Sequence, residues 1–584
     1  MKSMAMSILA SVQARPGLSL VRGLCLGVLV YFVAPLWRDF HSWGGTFDWG
    51  YFFFLAEVDR KTLVEFGQMP LWNPYYCGGA VHLSNPQTYT LSPLQIFVFV
   101  FGTPIGIRLM LTVTPFLALA GARLWALRLG LSEAGAWAAG TSMALSGTIA
   151  QHLGGGHVGW VGFALVPWVL WAFHAGLEGD RRMVVVGGAF LAWIFFHWGA
   201  YQYPYTCVAL GVYGLILGLS RRQLPSAVGL GLGMAVVSLG LVSIRLLPLV
   251  AFISEHPRTV HDSDWLSWAD LWEIYAVRHE ARRFGYHGWA WPEYGNYYGV
   301  LGLVLVGVGL LLALRRRRFG WVPVIICLFL FVAFQMGNWS YGPWTWLRKL
   351  PVFENLRVPS RFTALVSVFA APLVGLAAQR LAALGPRPKL GAWLAGVVLI
   401  AHFVDVAEFN RRQWIQTFGT PPPRDVPSSD FHNVSGDRRR MYAYPRVNRG
   451  SIDCFEESPL PRSRLLQAEA PQEEYPVPED AGRVRRVDWS PNAITLDVEL
   501  TRSATLAVNQ NWAPGWRSDA GPTVSHQGLL ALPLEAGAHR VRFVYRPPFF
   551  WLGVAISILS LVGAVAWVLA CGVPPAQRTR IEPD

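Results

Sequence analysis

Carboxylates and arginines set just beyond apolar runs are where this sequence could do chemistry. The clearest is Asp48, in Phe47-Asp48-Trp49-Gly50, shortly after a first apolar run that ends near Trp37. A carboxylate at a lipid–water boundary can take the proton of an acceptor hydroxyl as that oxygen attacks, the work of a general base. Asp48 also has a structural reading. From Trp49 to Phe66 the apolar positions recur at helical spacing, which predicts a helix along the membrane surface, and Asp at a helix N-terminus is favoured by capping and by the dipole. Glu57 and Asp59 lie two apart on that helix and so do not share a face. At most one of them joins Asp48, as a substrate contact or in a divalent-metal site, although neither fits a metal-ligand motif.

A departing phosphate would need positive charge near the same interface. Arg357 and Arg361, in Leu356-Arg357-Val358-Pro359-Ser360-Arg361, carry planar guanidinium forks suited to bidentate phosphate binding. Pro359 argues against a helical face that holds both, and Arg361 taken alone reads as a span-end arginine snorkelling to the interface. His157 follows three glycines between two apolar runs; it can bind phosphate, orient a sugar, or simply sit at a wet helix end. Glu293 closes a stretch that also holds His279, His287, Trp289 and Trp291. Acid plus aromatic rings suits sugar recognition, but Trp and Tyr also anchor membrane interfaces.

These residues must be positioned by something, and composition says what. Of 584 residues, 53% are hydrophobic and 15% charged, against roughly a quarter charged in a soluble domain. The apolar residues fall into runs long enough to cross a hydrocarbon core. The first, 17–37, is too long for a signal-peptide core and reads as an uncleaved anchor. Further runs lie near 104–127, 132–152, 158–177, 183–201, 204–219, 226–250, 297–314, 320–337, 362–384, 390–408 and 549–571, about twelve transmembrane helices in all. His402 and Asp405 sit at the end of the eleventh, where ionisable groups invite a functional reading.

The net charge of +13 does not point to nucleic acid. Arg181 and Arg182, Arg221 and Arg222, Arg315 to Arg318, and Arg387 with Lys389 occupy short linkers between runs, and parity places these linkers on one face, the positive-inside pattern. Both termini are then cytoplasmic, and the loops 38–103, 251–296 and 338–361 and the segment 409–548 lie outside. Cys77 and Cys454 share that outer side, where a bridge or two free thiols are the open readings.

Residues 409–548 differ in kind. Alternating runs at Ala493–Leu500, Ala504–Val508, Leu529–Leu534 and His539–Tyr545, punctuated by Gly and Pro, predict an antiparallel β-sandwich. It holds no catalytic constellation. Trp512 and Trp516 could stack on a carbohydrate, but core packing is the favoured reading.

Several strings carry a family resemblance: "GQMPLWNPYYCGG" in the first outside loop, "GGGHVGW" at 154–160, "PEYGNYYGVLGL" at 292–303, "ENLRVPSRF" at 354–362 and "NWAPGWRSD" at 511–519. Together with the early Asp and the last span, the chain resembles the YfhO-type bacterial membrane proteins of the GT-C glycosyltransferase superfamily over nearly its whole length. The resemblance implies a GT-C-like module over 1–408, an extracytoplasmic β-rich domain over 409–548, and a last helix and tail over 549–584. It further implies a bacterial inner membrane, a polyprenyl-(di)phosphate-linked sugar donor, and a glycan, lipid or protein acceptor. The enzyme would be a hexosyl- or pentosyltransferase, with Asp48 as base, His157, Arg357 and Arg361 at the donor phosphate, and Glu57, Asp59 and Glu293 at the substrate. A divalent metal is a cofactor that some members of the superfamily require. Two other classes compete: a transporter or flippase of lipid-linked glycans, which would show paired halves and midplane polar groups, and a non-catalytic envelope-assembly scaffold.

Overall fold

The computed structural model describes residues 16–40, 42–44, 48–257, 264–278, 291–315, 320–339, 341–356, 358–384, 388–421, 430–455 and 462–572. Among them, eight helices are long and apolar enough to cross a membrane: Leu18–Trp37, Thr103–Arg128, Val158–Leu177, Gln202–Ser220, Leu224–Glu255, Pro359–Ala382, Leu390–Ile415 and Phe550–Ala570. Three shorter apolar helices, Met183–Phe196, Gly299–Arg315 and Trp321–Gln335, match three more of the expected runs. The protein is a multi-pass helical membrane protein with a β domain.

The run expected at 132–152 is two helices, Glu133–Ala144 and Gly147–Gly154. Their break exposes backbone groups that lipid could not satisfy, and distant side chains take them up. Asn410 Nδ2 donates to the carbonyl of Leu145 at 3.0 Å, and the amide of Thr148 donates to Asn296 Oδ1 at 3.1 Å. The Pro359–Ala382 helix is the hub of the bundle, with 94% of its apolar window buried, against 11% for Phe550–Ala570 at the rim. Small residues permit the inner contacts: a Cβ on Gly375 would collide with the carbonyl of Gly135 on the facing helix.

The helix expected over 49–66 is α-helical from Trp49 to Arg60 and then takes a π turn over Lys61–Glu65. It does not lie on a surface, because every residue from Trp49 to Asp59 is buried. Phe53 packs on Trp43, Phe418 and Tyr442, while Phe52 packs on Trp198. A helix apolar nearly all round is one that packs on all sides.

Beyond it the chain forms a hairpin, β1 (Trp72–Asn73) with β2 (Ala80–Val81). A short parallel pair follows much later, β3 (His432–Val434) with β4 (Arg449–Ser451). The β domain proper comprises β5 (Glu474–Val477), β6 (Gly482–Ser490), β7 (Ala493–Leu500), β8 (Ala504–Asn511), β9 (Trp516–Ser518), β10 (Val524–His526), β11 (Leu529–Leu534) and β12 (Gly537–Tyr545). They make two antiparallel sheets, ordered β10-β11-β8-β5 and β6-β7-β12-β9. Period-two alternation turns Ile494, Leu496 and Val498 of one sheet and Leu506, Val508, Leu530 and Leu532 of the other into a single core.

That core is not built from residues 409–548 alone. Leu71, Trp72, Val81 and Leu83 of the first loop belong to it, with the Trp72 ring 4.7 Å from Tyr545 and 5.3 Å from Trp516. Asn492 Oδ1 accepts from the amide of Trp72, and Asn511 Nδ2 donates to the carbonyls of Cys77 and Gly79. A Cys77–Cys454 disulfide closes the same seam. The "GQMPLWNPYYCGG" string is thus the clamp between the helical module and the sandwich.

Candidate active site

Asp48 occupies the N-cap position of the Trp49–Arg60 helix, but with helical φ and ψ and no side-chain cap bond. Its carboxylate turns instead to His157, with Oδ2 3.0 Å from Nε2. Backbone contacts impose this approach. The amide of Asp48 donates to the carbonyl of Gly155 at 3.2 Å, and the Trp49 indole donates to that of Gly154 at 3.2 Å. Gly156 has φ +100°, and a Cβ on it would strike the amide nitrogen of Trp49. Only glycine combines that dihedral with so close an approach, which explains the glycine run before His157.

Behind His157 lies a buried ionic cluster. His157 Nδ1 and His152 Nδ1 are 2.7 Å apart, and His152 stacks on Trp160 at 3.6 Å. Two ring nitrogens at that distance share one proton. One N–H···N bond joins the two rings, and the Nε2–H of His157 faces Asp48. Glu293 Oε1 is 3.7 Å from His157 Nε2, and both Glu293 oxygens accept from Arg361, at 2.8 and 2.7 Å. The Arg361 guanidinium also lies over the rings of Tyr201 (4.2 Å) and Trp160 (5.2 Å). Ser360 donates to the Glu293 carbonyl at 3.0 Å and fixes that turn.

Burial raises the Asp48 carboxyl, but the His157 hydrogen bond and the charges of His157 and Arg438 outweigh it and hold the group below its ordinary range. For Glu293, burial again acts upward, and Arg361 with His157 overrides it, leaving the carboxyl well below the usual range. Arg438, Nη2 3.6 Å from Asp48 Oδ1, reaches in from the C-terminal half of the chain. The Asp48 side chain keeps 35% of its surface exposed, against 10% for Glu293, so it is the carboxylate of the cluster open to a substrate.

The structure therefore brings together Asp48, His157, Glu293 and Arg361, four residues singled out from sequence. Arg361 is already engaged by Glu293, so a phosphate there would have to share its fork. Arg357 lies outside the described residues, as do His279, His287 and Trp289. Glu57 and Asp59 are not brought to Asp48. Glu57 is buried against Arg60 (2.6 Å) and Thr103 (2.5 Å), and Asp59 accepts from Thr90 (2.6 Å) and Gln95 (2.8 Å) and contacts His82 at 2.7 Å. A carboxylate so fully bonded is a structural hub. His402 is buried beside Ser142, Ser146 and Tyr298, and Asp405 accepts from Tyr297 at 2.8 Å; neither joins the cluster. Trp516 is a core residue, as its packing on Trp72 shows.

Sequence reasoning missed His152 and Arg438. His152 lies at the end of the 132–152 apolar run; its signal is its five-residue spacing from His157 across the glycines. Arg438 carries no local signal.

His152, His157 and Glu293 offer one donor atom each, all within 4.8 Å of one another. Two imidazoles and a carboxylate form a three-ligand set that suits a divalent ion such as Zn²⁺. The trio fits such an ion if the proton between His152 and His157 leaves and Glu293 yields one of its two bonds from Arg361.

No family model matches the sequence, and no curated protein matches it. Solved structures similar to this chain include the archaeal oligosaccharyltransferase AglB from Archaeoglobus fulgidus in complex with an inhibitory peptide and a dolichol-phosphate (13% identity over 76% of this chain and 65% of that one, TM-score 0.45). Another is ArnT from Cupriavidus metallidurans bound to undecaprenyl phosphate (15% identity, 75% and 86%, TM-score 0.43). A third is the arabinofuranosyltransferase AftD from Mycobacteria (13% identity, 71% and 29%, TM-score 0.43). The chain spans 65% of the length of the first of these.

Proposed function

We propose that this protein is a membrane glycosyltransferase of the GT-C type, akin to the YfhO-type proteins, which moves a sugar from a polyprenyl-(di)phosphate donor to an envelope glycan, lipid or protein acceptor. The observation that carries the reading is the Asp48 carboxylate: partly exposed, held ionised by His157, and set at the mouth of a buried His–Glu–Arg cluster. In the reaction, Asp48 takes the proton of the acceptor hydroxyl as its oxygen bonds to the anomeric carbon. The bond from that carbon to the donor phosphate breaks, and its electron pair stays on the phosphate oxygen. Arg438, Arg361 and Arg357 are the cations assigned to that charge, with Glu293 steadying Arg361 and touching the sugar. A divalent ion held by His152, His157 and Glu293 would supply further charge stabilisation. Glu57 and Asp59, bonded elsewhere, have no part in this reading.

The proposed setting is a bacterial inner membrane with both termini cytoplasmic and the β domain outside. Support comes from the Arg-rich linkers, which share one face by parity, and from the Cys77–Cys454 disulfide, a bond at home in an oxidising compartment.

The test is transfer from radiolabelled polyprenyl-phosphate sugars by the detergent-purified protein, beside native mass spectrometry of lipid binding. Sugar-dependent lipid binding that Asp48→Asn preserves while abolishing transfer supports the proposal. Retained transfer in Asp48→Asn removes Asp48 as base; indifference to every polyprenyl lipid overturns the transferase and favours an assembly scaffold.

A further inference from the structure

Two segments outside the spans carry bare tryptophans where the helical bundle ends. The Trp268–Ala276 helix buries Leu271, Ile274 and Tyr275, while Trp268 and Trp272, four apart on another face, are 73% and 55% exposed. Trp265, just before it, is exposed as well. In the segment 341–356 the buried Trp344 packs on Phe362, and Trp346, Leu350 and Val352 are exposed. We infer that these exposed side chains are inserted into the outer leaflet of the membrane, at the boundary between headgroups and acyl chains, so that both segments dock on phospholipid.

Span length carries the argument. At about 1.5 Å per residue, Gly299–Arg315 (17 residues) and Trp321–Gln335 (15 residues) are about 26 and 22 Å long, short of a hydrocarbon core of about 30 Å. Arg315 to Arg318 bar any apolar lengthening between them at the inner end. The outer ends must therefore be continued by other apolar surface, and the two segments supply it. Tyr275 donates its hydroxyl hydrogen to Gln335 Oε1, at the end of one short span, at 2.8 Å. The amide of Tyr298, just before the other, donates to the Tyr275 carbonyl at 2.9 Å, and that of Leu266 to the Met336 carbonyl at 2.9 Å. The Trp268–Ala276 helix is thus pinned at both ends. Val300, just past Tyr298, is exposed too, so apolar surface continues from span to helix.

Charge agrees. A helix apolar on both faces belongs in a core or in lipid, and this one has protein on one side. Its Asp270 is buried in a capping box with Ser267, whose hydroxyl donates to it at 2.7 Å, and Glu273 is half-buried. Exposed Lys349 lies over the Trp346 ring at 4.3 Å, where an ammonium can meet lipid phosphate while its stem stays on apolar surface. A soluble glycan or protein would cover the tryptophans but leave both spans short, which favours lipid. The choice of leaflet rests on the proposed topology; insertion itself uses neither that topology nor Asp48.

The test places the full-length protein in nanodiscs of phosphatidylethanolamine and phosphatidylglycerol that contain a phosphatidylcholine with a diazirine on its acyl chain. After photolysis, peptide mapping reads where lipid has been attached. Residues 264–278 and 343–352 are expected to label like the lipid-facing Phe550–Ala570 helix, about tenfold or more above the β-domain residues 482–500. Trp268→Asp combined with Trp272→Asp, both at exposed positions, should strip the label from 264–278 and keep it on Phe550–Ala570. The inference is overturned if the two segments label no more than 482–500, or if the double variant keeps its label on 264–278. Because the probe lipid is in both leaflets, a reversed topology would leave the labelling unchanged and so cannot be mistaken for failed insertion.

Discussion

His157 Nε2 stands 3.0 Å from Asp48 Oδ2, a contact between the first extramembrane loop and the turn that follows the broken helix. The partner of the proposed base thus comes from a different part of the chain, and the pair exists only while the two segments stay pressed together. Asp48→Asn is expected to lower transfer about 10²- to 10⁴-fold, the contribution of a positioned general base, without lowering the unfolding temperature. His157 holds the Asp48 carboxyl below its ordinary value, so the wild-type rate should stay flat as pH falls from 7 to 5. In His157→Gln the carboxyl loses that support, and the acid limb of the rate profile should move to higher pH. A limb that stays put would show that His157 does not act on Asp48.

Gly156→Ala tests the close approach itself. A Cβ there meets the Trp49 amide while φ stays at +100°, so the glycine turn must retreat from Asp48. The expected result is a fall in kcat of about tenfold or more, because small displacements of a catalytic group cost rate steeply, with expression and far-UV circular dichroism unchanged.

The Glu293–Arg361 pair is buried on both sides. Removing one partner strands the other's charge, so Glu293→Gln and Arg361→Met should each destabilise the protein by about 3–5 kcal/mol, and the double variant by less than the sum. Thermal unfolding in detergent reads all three. The depressed Glu293 carboxyl contributes stability that is fully present above the unfolded range, near pH 4, and is lost as pH falls through the folded value. Wild type should therefore weaken below about pH 4, and Glu293→Gln should flatten that fall.

Trp72 and the Cys77–Cys454 bridge hold the sandwich to the helical module. Trp72→Ala should cost about 3–5 kcal/mol, as large-to-small changes in a core do, and should open the 69–83 hairpin to limited proteolysis. Cys77→Ser should cost about 2–5 kcal/mol. Reductant should lower the unfolding temperature of the wild type and leave Cys77→Ser unaffected, and peptide mapping without reductant should recover Cys77 linked to Cys454.

Much of the architecture was legible in the chain. Runs of apolar residues announce helices because lipid demands a minimum length, and β7 and β11 appear at their observed bounds because period-two alternation is a local signal. The break inside 132–152 was hidden: Ser146 and Gly147 are tolerated in many helices, and the discontinuity is stable only because Asn296 and Asn410 arrive from elsewhere to satisfy it. The Trp49–Arg60 helix read as a surface element because its spacing looked one-sided, yet both its neighbours, the bundle and the β domain, are supplied by distant sequence.

By itself the sequence determined the list of chemically capable residues, including Asp48, His157, Glu293 and Arg361, and the elements that carry them, because residue type and periodicity are local properties. Only the tertiary structure decided which of them meet. It joined those four, drew in His152 and Arg438, and left Glu57 and Asp59 in separate buried networks. A charge removed from water must find its partner wherever folding places one, and that distance is set by how helices and loops pack, not by spacing along the chain.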